Sequence, residues 1–169
     1  AVRGFDLNPE VVAGLTAGNS RIQDISNEQL LGVKNAGGVW TSEPHDLNGC
    51  DSFIICVPTP LGSGDTPDLT YVEHASRTAG EALRDGGLVI LESSTHPGTT
   101  EEIVAPILEE ASGLKVGRDF LLAYSPERID PGNQQFTLTN TPKIVGGVNQ
   151  ASSDATRELY ESAGIPVVA

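Results

Sequence analysis

The chain has 169 residues, a formal net charge of −13 and a pI near 4.4, with 38% hydrophobic and 5% aromatic residues. That is enough for one domain with an aliphatic core, and the acidic balance argues against nucleic acid or an anionic membrane surface as a partner. No apolar run approaches the ~20 residues that span a bilayer, and the N-terminus has no basic region followed by a long apolar core, so neither a membrane span nor a signal peptide is expected.

In chain order, Val2 to Asp6 reads as the end of a strand. Asn8 is placed to cap a helix with Pro9 at its first position, continuing through Val11, Val12 and Leu15 to Gly18. A second helix is expected from Ser26 through Leu30, Leu31 and Val33, stopping at Gly37-Gly38, and Val39 to Thr41 reads as a short strand. The run from Ser52 to Val57 is continuously apolar after its first residue and predicts a strand buried on both faces. Pro58-Thr59-Pro60 stops it. A helix is expected from Thr70 to Leu83, a buried strand from Leu88 to Leu91, and a helix capped by Thr99 or Thr100 and running through Glu110. Further strands are expected at Phe120 to Tyr124, Lys143 to Val145 and Ile165 to Val168, with a helix from Ser152 to Ser162.

The two cysteines, Cys50 and Cys56, have neither metal-ligand spacing nor a C-x-x-C pattern, and Cys56 lies inside an apolar run, as a small buried hydrophobe would. A reducing, cytoplasmic compartment is expected. His45, His74 and His96 are not clustered, so no metal site is predicted.

Short apolar strands alternating with helices of ten to fifteen residues predict βαβ units and a doubly wound, Rossmann-like parallel sheet, an α/β fold. In such a sheet the acid ending the second strand accepts hydrogen bonds from the adenosine ribose, favouring NAD over NADP. Asp6 has that place; alternatively it only begins the turn before the Asn8-capped helix. The companion G-x-G-x-x-G turn belongs ~20 residues upstream, and the sequence contains none. The expectation is therefore an NAD-binding domain over residues 1–169 that lacks its first strand and Gly-rich turn, a piece of a larger protein.

The segment from Ser125 to Asn133 follows an apolar strand and presents an acid, a base and a second acid between Pro126 and Pro131. Loops at the carboxyl ends of such strands bind ligands, although charges in a turn can also face only water.

The motifs Gly4-Phe5-Asp6-Leu7-Asn8-Pro9, Cys56-Val57-Pro58-Thr59-Pro60 with Thr66-Pro67-Asp68, Glu92-Ser93-Ser94-Thr95-His96-Pro97-Gly98, Ser125-Pro126-Glu127-Arg128 and Pro142-Lys143-Ile144-Val145-Gly146-Gly147 occur in that order. Together they resemble the N-terminal domain of the nucleotide-sugar 6-dehydrogenases, and within them the branch acting on UDP-N-acetylglucosamine or UDP-N-acetylmannosamine. The resemblance implies oxidation of the sugar C6 alcohol to a carboxylate with reduction of two NAD⁺, by a homodimeric parent whose substrate is a UDP-sugar. It implies that Asp6 binds the adenosine ribose, that Thr59 borders the cofactor, and that Thr95 faces both cofactor and substrate and helps hold a catalytic water. A helix-cap hydroxyl is the other reading of Thr95, though Thr99 and Thr100 are better placed for that. Glu127 would position or deprotonate the water that hydrolyses a thioester intermediate. Arg128 and Ile129 would touch the nucleotide sugar, with Asp130 orienting Arg128.

Two positions depart from the pattern. The glucose-specific branch carries a second acid four residues after the Glu, where this chain has Pro131. Some relatives carry a basic residue five positions after the ribose-binding acid, where this chain has Val11. The family's Cys nucleophile and its Lys and Asn belong to later domains, so turnover by these 169 residues alone is not expected. A different hydroxyacid-type NAD dehydrogenase, or a non-catalytic α/β assembly module, are the other readings; the first does not need the Ser-Pro-Glu-Arg loop, and the second does not need both Thr95 and Glu127.

Overall fold

The structure, a computed structural model, describes residues 2–22, 24–62, 66–128, 135, 137 and 140–168. They fall into two compact units, one drawn from Ala1–Asn48 and the other from Gly49–Ile129 and Gln135–Ala169.

In the first unit β1 (Arg3–Phe5) pairs in parallel with β2 (Val39–Thr41). The connection runs through α1 (Pro9–Thr16) and α2 (Asn27–Asn35). Both helices start as their sequences dictate. The Asn8 side chain accepts from the Glu10 N–H, with Pro9 in the first turn. Ser26 and Gln29 form a reciprocal capping box.

In the second unit β3 (Ser52–Ile55), β4 (Leu88–Leu91) and β5 (Leu121–Tyr124) are parallel neighbours, and β7 (Gly146–Gly147) adds to β5 in the antiparallel sense. β6 (Lys143–Ile144) pairs with β8 (Val167–Val168). The expected strand over Lys143 to Val145 is present as β6, the Val145 N–H still donating to the Val168 carbonyl at 3.1 Å, and the chain then turns so that Gly146–Gly147 pair with β5. Gly147 permits this: a Cβ there would be 2.4 Å from the Ser153 nitrogen and 2.7 Å from the Asn149 carbonyl oxygen.

Helices cover both faces of β4. Leu88 and Ile90 pack with Tyr160 of α5 (Gln150–Ser162) and with Val145 and Ile165. Val89 and Leu91 point the other way, on the face shared with Phe53 and Ile55, where α3 (Thr70–Ala82) packs on β3 and α4 (Ala105–Ser112) packs on α3. All four β4 residues are buried.

β3 corrects the sequence reading. Phe53 and Ile55 are buried, but Ile54 is 46% exposed and Cys56 is exposed rather than a core hydrophobe. Ile54 is in register with Ile90 on the α5 side. α5 packs on β4 and β5, leaving that face of β3 open.

The entry to α4 also differs from expectation. Thr99 is already helical in its backbone, and its hydroxyl donates to the His96 carbonyl at 2.8 Å, so neither Thr99 nor Thr100 caps with its side chain. The Gly98 carbonyl instead accepts the Glu101 and Glu102 N–H groups. A π-helical turn (Thr100–Val104) then precedes α4. Pro106 explains the widening, since a proline ring clashes with the carbonyl four residues before it.

The contrast between adjacent glycines is testable. Gly147→Ala should lower stability by roughly 1–3 kcal/mol through overpacking, whereas Gly146→Ala, whose added Cβ meets nothing within 4 Å, should be close to neutral. Urea unfolding of the two variants checks the difference.

Candidate functional site

The carboxyl ends of β3, β4 and β5 carry the segments 56–60, 92–98 and 125–128, and hydrogen bonds join them. The buried Ser93 hydroxyl accepts the Val57 N–H at 2.9 Å and donates to the Val57 carbonyl at 2.8 Å. The Thr59 hydroxyl donates to the Ser94 carbonyl at 2.8 Å. The Glu127 N–H donates to the Glu92 carbonyl at 3.3 Å.

This framework brings together four of the residues singled out from the sequence. Thr59, Thr95, Glu127 and Arg128 all belong to these three loops. Thr59 is partly committed through its bond to Ser94. Thr95 is half-buried, and its hydroxyl makes no hydrogen bond among the described residues, which leaves it open to a ligand. The Glu127 side chain is 44% exposed, and its Oε1 accepts the Arg128 N–H at 2.6 Å. Arg128 is exposed. Ile129 and Asp130 lie outside the described residues.

Asp6 belongs to the other unit, at the end of β1. Its N–H donates to the Thr41 carbonyl at 3.1 Å, and its Oδ1 accepts the Asn8 N–H at 2.8 Å. The carboxylate thus does start the turn into α1; the residue is exposed, and no described residue donates to its other oxygen.

One cluster was not foreseen. Lys143 on β6 is 3% exposed, with its Nζ 3.0 Å from Glu92 Oε1 and 3.7 Å from Glu127 Oε2. The ammonium also lies 5.3 Å from the centre of the Tyr160 ring, and the Tyr160 hydroxyl donates to Glu92 Oε1. The sequence did carry a signal. Lys occurs only at positions 34, 115 and 143, and Lys143 alone is followed directly by an apolar strand segment, where a cation is tolerated only if paired.

The cluster sets the local proton affinities. Burial, then the hydrogen bond to Glu92 and the Glu92 charge, push the Tyr160 phenol above its ordinary range. Cys56 is exposed as a residue, yet desolvation of its thiol pushes the thiol up, with Glu92 and Glu127 adding and Lys143 opposing. A thiol held protonated is a poor nucleophile, so these surroundings do not activate Cys56. Among the described residues no three His, Cys, Asp or Glu groups gather to hold a metal. No described helix is long and apolar enough to cross a membrane.

A sheet of parallel strands covered by helices on both faces, with its polar loops meeting at the strands' carboxyl ends, defines a nucleotide-binding domain of the Rossmann type. Residues 1–164 match the model of the UDP-glucose/GDP-mannose dehydrogenase family, NAD binding domain. The chain belongs to this family and is its NAD-binding domain. It is 41% identical over 163 residues to the UDP-N-acetyl-D-mannosamine dehydrogenase of Pyrococcus horikoshii, covering 95% of this chain and 38% of that protein. It is 36% identical over 159 residues to the UDP-N-acetyl-D-glucosamine 6-dehydrogenase of Pseudomonas aeruginosa, covering 94% and 37%. The solved structure of the UDP-D-ManNAc dehydrogenase from Pyrococcus horikoshii superposes with a TM-score of 0.91 at 38% identity, over 98% of this chain and 40% of that one. The chain thus spans about two fifths of the length of these relatives.

The Tyr160 environment predicts an alkaline effect. A folded-state pKa above the unfolded value gives stability that is full below about pH 10 and is lost as pH rises toward the folded value. Above about pH 10 the wild type should lose stability more steeply than Tyr160→Phe, by about 1.4 kcal/mol per pH unit for the one proton. Urea unfolding between about pH 9 and 11 measures both slopes; equal slopes would refute the assignment.

Proposed function

We propose that this chain is the cofactor-binding part of an NAD-dependent UDP-N-acetylhexosamine 6-dehydrogenase. The overall change is R–CH₂OH + 2 NAD⁺ + H₂O → R–COO⁻ + 2 NADH + 3 H⁺. The observation that carries this reading is the joining of the Thr95 and Glu127 loops at the ends of adjacent strands by the Glu127–Glu92 backbone bond. An uncommitted hydroxyl and a half-open carboxylate on one rigid frame suit a step in which water must be held and deprotonated.

Each of the chain's residues has a role in this reading. Asp6 accepts hydrogen bonds from the adenosine ribose through its second oxygen, and its charge repels the 2′-phosphate of NADP. Thr59, tied to Ser94, borders the dinucleotide. Thr95 lies toward the junction of cofactor and sugar and donates to or accepts from a bound water. Glu127 takes the proton of the water that hydrolyses the thioester. Arg128 meets the nucleotide sugar through charge-assisted hydrogen bonds, and the resemblance gives Ile129 a contact with the same sugar. NAD, when bound, supplies hydride acceptance.

Two relatives that act on N-acetylated UDP-hexosamines by name support the amino-sugar branch, and Pro131 in place of a second acid points away from UDP-glucose. Free Cys50 and Cys56 accord with a cytoplasmic setting, and the resemblance carries a homodimeric whole protein.

The test uses the full-length protein containing this chain, with UDP-N-acetylglucosamine, UDP-N-acetylmannosamine and UDP-glucose offered separately. NADH and the uronate mass are followed. Oxidation of an acetylated sugar in preference to UDP-glucose is expected, and no NADH from either acetylated sugar would sink the reading. Glu127→Gln should slow uronate release ~10²–10⁴-fold, the range for a lost general base. Asp6→Ala should weaken NAD binding about tenfold or more by calorimetry, through loss of a charge-assisted hydrogen bond.

A further inference from the structure

We infer that Lys143 is a positioning residue for Glu127: its buried ammonium, anchored by Glu92 and Tyr160, holds the Glu127 carboxylate in the orientation that receives water. The inference rests on the reading of Glu127 as the water-activating acid.

The cluster is asymmetric in a way that a purely structural ion pair does not require. The Lys143 side chain is 4% exposed and Glu92 12% exposed, so this pair is inside and neutral by itself, although the buried Nζ completes no hydrogen bond among the described residues. Glu127 is 44% exposed and adds a second negative charge that neutrality does not demand. Glu92 cannot swing away, because Oε1 also receives the Tyr160 hydroxyl. The ammonium is held from a third side by the Tyr160 ring. Lys143 itself is fixed by its strand, its N–H donating to the Pro166 carbonyl at 2.8 Å.

Glu127 is thereby addressed at both oxygens. Oε1 takes the Arg128 N–H at 2.6 Å and Oε2 faces Lys143 at 3.7 Å. A hydrogen bond on one oxygen and a buried ammonium charge facing the other, from different segments, bias the orientation of the carboxylate. In the hydrolytic step the water oxygen bonds to the thioester carbonyl carbon and the C–S bond breaks. The thiolate leaves, and Glu127 takes the water proton. A misplaced carboxylate slows this step and leaves the preceding hydride transfers unaffected.

The experiment uses the full-length enzyme with its UDP-N-acetylhexosamine, rapid quench and intact-mass detection of the sugar adduct. The variants are Glu127→Gln, Lys143→Met, Lys143→Arg and the double variant Lys143→Met/Glu92→Gln. Removing Lys143 alone strands a buried carboxylate and is strongly destabilising; the double variant removes both charges and keeps the site testable. The expected result is adduct accumulation and hydrolysis slowed about ten- to a hundredfold in both Met variants. NADH formation before the adduct should stay within about twofold, and Lys143→Arg should recover most of the rate. If the double variant hydrolyses at the wild-type rate while Glu127→Gln stalls, Lys143 does not position Glu127 and the reading of Glu127 stands. If the Met variants slow both phases equally, the role is only structural and the inference is overturned. If Glu127→Gln hydrolyses normally, the reading of Glu127 falls and the inference falls with it.

Discussion

β4 is the constraint on which the second unit depends. It is hydrogen-bonded to β3 on one edge and β5 on the other, and all four of its side chains are buried. Each such aliphatic side chain contributes roughly 1.5–3 kcal/mol of burial. A strand held on both edges and both faces has no freedom to slip, because a one-residue slip would reverse which side chains face which layer. Its last residue therefore delivers Glu92, Ser93, Ser94 and Thr95 to a fixed place. The flanking strands, held in register by the same ladder, deliver Thr59 and Glu127 beside them.

Polar groups just beyond that apolar ladder divide by exposure. Ser93 is buried and spends its hydroxyl on both backbone groups of Val57. Thr95 is half-buried and spends its hydroxyl on nothing described. Glu92 is inside and paired, while Glu127 is half-open. A buried polar group without a partner is costly, and Ser93 and Glu92 each have partners inside the framework. Thr95 and Glu127 are the more exposed members, a few residues of sequence from the buried ones.

Much of the fold was legible. The cap signals at Asn8 and Ser26 were visible because capping is local, involving residues within three positions. The apolar run of β4 was legible as a fully buried strand. The similar run in β3 was not: Ile54 and Cys56 look like core in sequence but are open, because burial depends on which helix reaches that strand. The Thr99 cap failed for a related reason. Its hydroxyl found the His96 carbonyl, and Pro106 widened the turn that follows. The Gly146–Gly147 reversal was hidden because the need for Gly147 comes from Ser153 and Asn149, which α5 brings against it.

For the candidate site, local sequence was enough for the chemical inventory: the acid Asp6 at the end of β1, the Thr95 hydroxyl, the Glu127 and Arg128 loop, and the ordered motifs that mark the family. These are properties of short segments, each carrying its own turn residues and side-chain types. It took the folded chain to bring Lys143 to Glu92 and Glu127, to close Tyr160 over the same Glu92 carboxylate, and to hold the proton on Cys56. Those facts arise between residues 16 to 87 positions apart, where no local pattern operates and where burial, by removing water, sets how strongly charges act on one another.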